Sequence, residues 1–207
     1  MKIKFLSAVA LTATLLTSCG DAATTEVGTA VNDSTSAVYS VDVVTSKVNW
    51  KGEVAGVYGH NGYVNFTSGS LQVSDSGLVG GEFVVDLKNI VPLDSASYTA
   101  EKGHGIADLQ GHLSTKDFFQ TDSFPTATFV ITKVEGKTVK GNLTVKGKTN
   151  EETLNVESFE NKDGVVTAAG KLVFNRQKYG VAWVHFMKDM ILSDDIQISD
   201  TTTFEIN

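Results

Sequence analysis

Side chains that could bind a metal ion recur at a fixed spacing near the middle of the chain. His104, Asp108 and His112 stand four residues apart, so a helix would place all three on one face. Imidazole and carboxylate groups are ligands that zinc accepts, and a zinc or catalytic site is one interpretation. Glycines in the same stretch disfavour a helix, and the alternative is the polar outer face of a short lid. We predict no metal, no catalytic residue and no cofactor, and keep a metal-dependent enzyme acting on a lipid-like substrate as an alternative.

Arg176 is the only arginine in the sequence, and it follows a strand-like segment that ends near Phe174. A guanidinium group can bind an anionic head group through two parallel hydrogen bonds. Arg176 is therefore a candidate for contacting the head group of a ligand. The alternative is a salt bridge to an acidic neighbour, because the chain carries 24 aspartates and glutamates.

The first 18 residues have the pattern of an export signal. Lys2 and Lys4 precede an apolar stretch, residues 5–16, that is too short to span a bilayer as a mature helix. The run Leu-Thr-Ser-Cys that ends at Cys19 resembles a bacterial lipobox, which is cleaved before a cysteine that carries lipid. We predict a lipoprotein signal peptide over residues 1–18 and lipidation of Cys19. Since Cys19 is the only cysteine, an internal disulfide and a cysteine-based metal cluster are excluded.

Residues 19–37 are predicted to form the lipidated cysteine and a flexible tether, and residues 38–207 the folded domain. The tether has no aromatic residue and mostly small polar side chains, which bury too little surface to offset the entropy of ordering. A lipid on Cys19 would anchor the domain to a membrane of the bacterial cell envelope, in the periplasm or at the outer-membrane surface. The formal net charge of −7 argues against nucleic acid as a partner, because phosphates require a basic patch.

The domain has the pattern of short antiparallel strands. Apolar and polar residues alternate in many segments, most clearly in residues 138–146, where Val139, Leu143 and Val145 share one face. Turn sequences rich in Gly, Asp and Asn separate about eight or nine such segments. The pattern predicts an all-β fold, an antiparallel sheet that closes into a barrel of about eight strands. A sandwich would have the same periodicity.

Residues 95–119 lack this alternation. Ile106, Leu109 and Leu113 have the spacing of a helical stripe, and we predict one or two short helices that cap one mouth of the barrel. Phe118 and Phe119 follow directly, and no single strand face can bury two adjacent side chains. We predict that this pair packs under the cap, where one ring closes the mouth and the other contacts ligand or fixes the helix.

Four segments resemble, in their order and spacing, the YceI-like family of periplasmic and secreted proteins. They are HLSTKDFF at 112–119, FPTATF at 124–129, GNLTVKGKT at 141–149 and NRQKYG at 175–180. The resemblance covers residues 38–207 and implies an extended lipocalin-like barrel whose apolar tunnel holds a long isoprenoid or similar lipid. Many family members have an Arg–Asp pair shortly before the His-Leu dipeptide, and residues 107–111 contain no arginine. A head-group contact from that loop is therefore not carried over.

Inward-facing apolar side chains would line such a tunnel. The predicted lining residues are Phe83, Val85, Phe118, Phe119, Phe129, Ile131, Leu143, Val145, Leu172, Phe174 and Trp183. Ordinary core packing also explains each of them singly, so a barrel with a solid core, acting as an envelope-stress or interaction protein, is a second alternative. The predicted function is to carry or sequester a polyprenyl or quinone-like lipid without covalent chemistry. Exposed strand edges also allow a homodimer.

Overall fold

The computed structural model of the chain describes residues 36–54, 58–93, 105–183 and 191–206. These residues form ten β-strands, one α-helix and one short 3-10 helix, which spans Arg176–Tyr179. The other elements are β1 Ala37–Val41, β2 Lys47–Val54, β3 Tyr58–Ser74, β4 Gly77–Asp86, β5 Val91–Pro92, α1 Ile106–Ser114, β6 Thr126–Glu135, β7 Thr138–Val145, β8 Lys148–Lys162, β9 Val165–Asn175 and β10 Leu192–Ile206.

Eight of the strands close into an antiparallel barrel. Neighbours pair in the order β10, β2, β3, β4, β6, β7, β8 and β9, and β9 pairs back onto β10. Closure gives each of these strands two hydrogen-bonded neighbours, so the barrel avoids the unpaired edges of an open sheet. The predicted all-β barrel of about eight strands is confirmed, and the sandwich with the same periodicity is excluded.

The two remaining strands lengthen the wall of the barrel. β1 pairs with both β3 and β10, so β1 and β2 follow one another in a single position between those two strands. β5 pairs with β3 at Gly62 and Tyr63, beyond the part of β3 that pairs with β4. The wall is therefore longer than most of its individual strands.

The end of the barrel formed by β1 is packed solid. Its side chains form a cluster that we call the floor, composed of Tyr39, Val41, Phe66, Leu71, Val73, Val166 and Phe204. All of them are buried, and Val166 and Phe204 are almost completely inaccessible. The opposite end, which we call the helical end, carries α1 between β5 and β6 and the 3-10 helix after β9.

Helix α1 confirms the predicted cap at one mouth, as one α-helix within the described ranges. It lies beside β5, and the Gln110 side-chain amide donates a hydrogen bond to the Ile90 carbonyl oxygen at 2.9 Å. The predicted apolar stripe is only partly buried: Leu109 and Leu113 pack against the core, but Ile106 is 38% exposed. The first residue of the helix therefore does not reach the core. No helix in the described part of the chain is long and apolar enough to cross a bilayer.

The Gly62→Ala substitution should test the close approach of β5 to β3. A Cβ at this position would overlap the carbonyl oxygen of Val91 and lie 2.9 Å from the Cα of Pro92. Because backbone must move, we expect the free energy of unfolding to fall by about 1–3 kcal/mol. Urea denaturation measures the change. Gly111→Ala is the matched control, since nothing lies within 4 Å of its Cβ position. Replacing glycine by alanine at this exposed helix position should raise the free energy of unfolding by about 1 kcal/mol. Equal effects of the two substitutions would contradict the packing described.

Candidate functional site

An apolar cavity of about 950 Å³ occupies the interior of the barrel. Its wall runs from Leu71 and Phe204 at the floor to His112 and Trp183 at the helical end. Along β10, the lining residues from Leu192 to Phe204 cover roughly 40 Å of strand at about 3.3 Å per residue. The cavity is therefore long and has the size and apolar lining expected of a ligand site.

The exposure of the inward-facing residues shows that this interior is hollow. Many apolar side chains at inward positions are only partly buried, including Phe83, Val85, Ile131, Leu143, Leu154, Val156, Ile196 and Ile198. In a filled barrel these side chains would be enclosed on all sides at the density of a protein interior. All of them line the cavity. The solid core that the sequence left open as an alternative is therefore wrong for this part of the barrel.

Every apolar residue that the sequence predicted as tunnel lining lies in the cavity wall. The set is Phe83, Val85, Phe118, Phe119, Phe129, Ile131, Leu143, Val145, Leu172, Phe174 and Trp183. Contact of these side chains with a ligand stays a prediction. The sequence prediction missed other lining residues, which include Val48, Trp50, Leu154, Val156, Ile196 and Ile198. The same alternation of apolar and polar residues would have identified them on β2, β8 and β10.

Aromatic side chains cluster at the helical end of the cavity. The ring of His112 meets those of Phe118 and Trp183 edge-on, with both centroid distances at 4.9 Å. The rings of Phe118 and Trp183 lie 5.5 Å apart. Phe118 and Phe119 can both line the cavity because residues 116–119 form a turn, in which adjacent side chains need not point to opposite faces. The aromatic pair thus contributes to the cavity wall at this end, and closure of the mouth by one of the two rings stays a prediction.

The predicted metal-binding triad is only partly covered by the structure. His104 lies outside the described residues. The Asp108 carboxylate accepts a hydrogen bond from the backbone N–H of Gly105 at 3.0 Å, at the start of α1. Burial lowers the pKa of His112 from its ordinary value of 6.5, against the opposing charge of Asp117, which favours the neutral imidazole at pH 7. Within the described ranges, no group of three His, Cys, Asp or Glu side chains could hold a metal ion.

Arg176 is buried in the cavity wall at the helical end, with its guanidinium group fully hydrogen-bonded. Its partners are the carbonyl oxygens of Ser193 at 2.9 Å, Val181 at 2.6 Å, Trp183 at 3.2 Å and Leu192 at 3.4 Å, and the Asp194 carboxylate at 3.0 Å. Burial lowers the pKa of Arg176, and the charge of Asp194 opposes this. A head-group contact by Arg176 stays a prediction, and one of these bonds would have to break to allow it.

The turn after β9 holds Arg176 in this position. The Asn175 side chain accepts a hydrogen bond from the backbone N–H of Gln177 at 2.9 Å, which caps the 3-10 helix. Gly180 ends the helix with a φ of 71°, a conformation that glycine adopts without strain. Tyr179 is fully buried and its hydroxyl donates to the Glu152 carboxylate at 3.0 Å. Burial, followed by the bond to Glu152, raises the pKa of Tyr179.

Asp200 is a lining residue that sequence reasoning missed. It lies on β10 at the same parity as Ile196 and Ile198, so its carboxyl group is part of the cavity wall. The hydroxyl of Thr202 donates a hydrogen bond to this carboxylate at 2.7 Å. Loss of solvation raises the pKa of Asp200 above its ordinary value of 3.8, while hydrogen bonds from Thr202 and from the backbone at Gly170 oppose the rise. An acidic residue at an inward position of an alternating strand was the signal available in the sequence.

The predicted export signal lies outside the described residues. Cleavage of residues 1–18 and lipidation of Cys19 therefore stay predictions, as does the flexibility of the tether. β1 begins at Ala37, so the folded part of the chain starts at least one residue before the predicted boundary at 38.

A closed antiparallel barrel with a hollow apolar interior and a helix at one end places the chain in the lipocalin-like class of β-barrels. The YceI-like domain model matches residues 39–206, and the chain belongs to that family. The family resemblance inferred from the four sequence segments is confirmed.

The curated relatives match part of the domain. A UPF0312 protein of Staphylococcus aureus strain USA300 is 36% identical over 108 residues, which cover 46% of this chain and 61% of the relative. The counterpart from strain MRSA252 is 36% identical over 104 residues with the same coverage. The match therefore spans about three fifths of the length of these relatives.

Two solved structures share the fold over most of the chain. BcnA of Burkholderia cenocepacia superposes with a TM-score of 0.58 at 21% identity and covers 79% of this chain and 98% of BcnA. A polyisoprenoid binding domain from Saccharophagus degradans, implicated in plant cell wall breakdown, has a TM-score of 0.53 at 16% identity and covers 82% of this chain and 98% of that domain. At these identities the likeness concerns the fold.

Proposed function

We propose that this protein binds a long apolar lipid of the isoprenoid type inside the barrel and carries or sequesters it. The observation that supports this most directly is the elongated apolar cavity of about 950 Å³ in a wall that is otherwise closed by hydrogen-bonded strands. A polar substrate would find few partners there. The name of the Saccharophagus degradans neighbour, a polyisoprenoid binding domain, agrees with this class of ligand.

Burial of ligand surface provides the affinity in this proposal, without covalent chemistry. A Kd of 1 μM corresponds to about 8 kcal/mol of binding free energy. Removing apolar surface from water contributes about 25 cal/mol per Å², so roughly 330 Å² must be buried before the cost of ordering the ligand is added. A chain of several isoprene units, extended along the cavity, meets this requirement. Short apolar molecules do not.

We further propose that lipid on Cys19 anchors the protein to the bacterial cell envelope, with the segment before β1 as the tether. The basis is the lipobox-like run that ends at Cys19. Cys19→Ala should release the protein from the membrane fraction into the soluble fraction. A variant that stays fully with the membrane would contradict the anchor. This part of the proposal is independent of the ligand.

Lipid extraction tests the binding function. Expressed in a bacterial host and purified in mild detergent, the full chain should release an isoprenoid lipid into organic solvent, detectable by mass spectrometry. A surface-matched protein without a cavity, purified in the same way, controls for carry-over. Stripped protein should also bind added geranylgeraniol, a linear isoprenoid alcohol. An empty extract combined with no binding of the added alcohol would overturn the proposal.

A further inference from the structure

Asp200 is an acidic side chain inside an apolar cavity. On β10 it follows the inward-facing Ile198 and precedes the inward-facing Phe204 of the floor, and its own carboxyl lines the cavity. Its partners across the sheet are Val48 of β2 and Gly170 of β9. Neither has a side chain that can donate a hydrogen bond, and the place of a side chain at Gly170 is taken by the apolar side chain of Leu154.

The carboxyl group of Asp200 keeps acceptor capacity that the protein does not use. A carboxylate can accept about four hydrogen bonds. The side-chain donor that the structure gives it is the Thr202 hydroxyl, which is itself fully buried and so holds the carboxyl in place. The backbone at Gly170 and at Asp200 itself adds two further hydrogen bonds, so about one acceptor position of the carboxylate is left for a ligand. In the described residues no lysine or arginine forms an ion pair with Asp200. A partly buried acid without such a partner destabilises the fold, which a ligand donor in the cavity would offset.

The other charged groups of the wall do not favour an anionic ligand. Arg176 lines the helical end, and all of its N–H groups are engaged by carbonyl oxygens and Asp194. Burial lowers the pKa of His112, which favours its neutral form at pH 7. Asp200 would repel a phosphate or carboxylate that approached it. The electrostatics of the described wall therefore favour an uncharged ligand that carries a hydrogen-bond donor.

We propose that Asp200, positioned by Thr202, is the polar anchor of the cavity and selects an uncharged isoprenoid alcohol whose hydroxyl donates to its carboxyl group. This inference rests on the proposed lipid-binding function and specifies the head group. Asp200 lies eight residues beyond Leu192 at the helical end, or roughly 26 Å of strand at about 3.3 Å per residue. The hydroxyl therefore enters first, and the apolar chain extends from Asp200 back toward the helical end.

Three ligands with the same apolar chain test the anchor: geranylgeraniol, geranylgeranyl monophosphate and the corresponding hydrocarbon without the hydroxyl. Displacement of a fluorescent apolar probe from the full chain gives each affinity. The wild-type protein should bind the alcohol about tenfold or more tightly than the hydrocarbon, because a hydrogen bond to a charged group contributes more than a neutral one. It should bind the phosphate more weakly than the alcohol.

Two variants separate charge from hydrogen bonding. Asp200→Val should lower the affinity for the alcohol about tenfold, and it should leave the affinity for the hydrocarbon unchanged or raise it. Asp200→Asn keeps an acceptor without the charge, so the alcohol should still bind and the phosphate should gain affinity relative to it. Asp195→Asn removes an exposed carboxylate from the same strand and is the matched control.

The outcomes distinguish the anchor from the lipid-binding function. Equal affinities of wild-type protein for alcohol and hydrocarbon, or an unchanged preference in Asp200→Val, would overturn the anchor while lipid binding stands. If Asp200→Val does not fold, Asp200→Asn decides, and an unchanged phosphate-to-alcohol ratio there would overturn the anchor too. Binding of none of the three ligands would overturn the proposed function and, with it, this inference.

Discussion

The Gly52→Phe substitution is expected to weaken the binding of geranylgeraniol by roughly a hundredfold while the barrel still folds. Gly52 lies in the cavity wall on β2, between His60 of β3 and Ile196 of β10. A Cβ at this position meets the Ile196 side chain at 3.4 Å, an ordinary contact, so an aromatic ring would extend into the cavity. Displacing three or four buried methylene groups of the ligand costs about 3 kcal/mol, which corresponds to roughly a hundredfold in Kd.

Probe displacement measures the affinity, and thermal unfolding followed by circular dichroism reports on the fold. Lys51→Phe is the matched control, because it adds the same side chain to an exposed position of the same strand. We expect that control to keep its affinity. Gly52→Ala adds only a methyl group beside Ile196 and should keep most of the affinity as well. A folded Gly52→Phe protein with unchanged affinity would place the ligand outside the cavity and contradict the proposed function.

The wall of the cavity could be predicted from the sequence because it depends on local pattern. In β6 and β7, strict alternation places Phe129, Ile131, Leu143 and Val145 on one face, and closure of the sheet turns that face inward. Local pattern does not predict whether the interior is hollow, because this depends on the number of strands and on the length of the wall. β1 and β5 increase that length. Periodicity gives neither quantity, so a sandwich and a solid barrel remained open until the pairing was known.

The polar residues of the site were harder to predict, because their roles depend on partners far away in sequence. Arg176 donates its hydrogen bonds to acceptors five to eighteen residues further on, and the sequence offered only a count of acidic residues. The helical spacing of Asp108 and His112 suggested metal binding, but the structure uses Asp108 at the helix start and packs His112 among aromatic rings. The sequence did not identify Asp200 as a site residue, because a single acidic residue in an alternating strand resembles the many exposed ones.

The Arg176→Met substitution is expected to lower the free energy of unfolding by about 3–5 kcal/mol, as expected when one partner of a buried ionic network is removed. Methionine fills similar space but leaves the carbonyl oxygens of Val181, Trp183, Leu192 and Ser193 without the guanidinium donor. Val181 and Trp183 precede segment 184–190, and Leu192 and Ser193 follow it. The substitution therefore removes hydrogen bonds on both sides of this segment. Arg176→Lys keeps the charge but not the planar set of donors. Its free energy of unfolding should fall by about 2 kcal/mol or more. Urea denaturation of each variant measures these changes.

Two controls decide which interaction carries the effect. Asp194→Asn removes the ion pair, and because Asp194 is half exposed, we expect a loss below about 1 kcal/mol. Lys171→Ala breaks an exposed ion pair with Glu157 and should have an equally small effect. If Arg176→Met instead kept its stability and lost affinity for geranylgeranyl monophosphate, the guanidinium would serve the ligand, as the sequence first suggested. A large loss of stability with an unchanged order of ligand preference would mean that Arg176 holds the helical end together, and that selection of the head group belongs to Asp200.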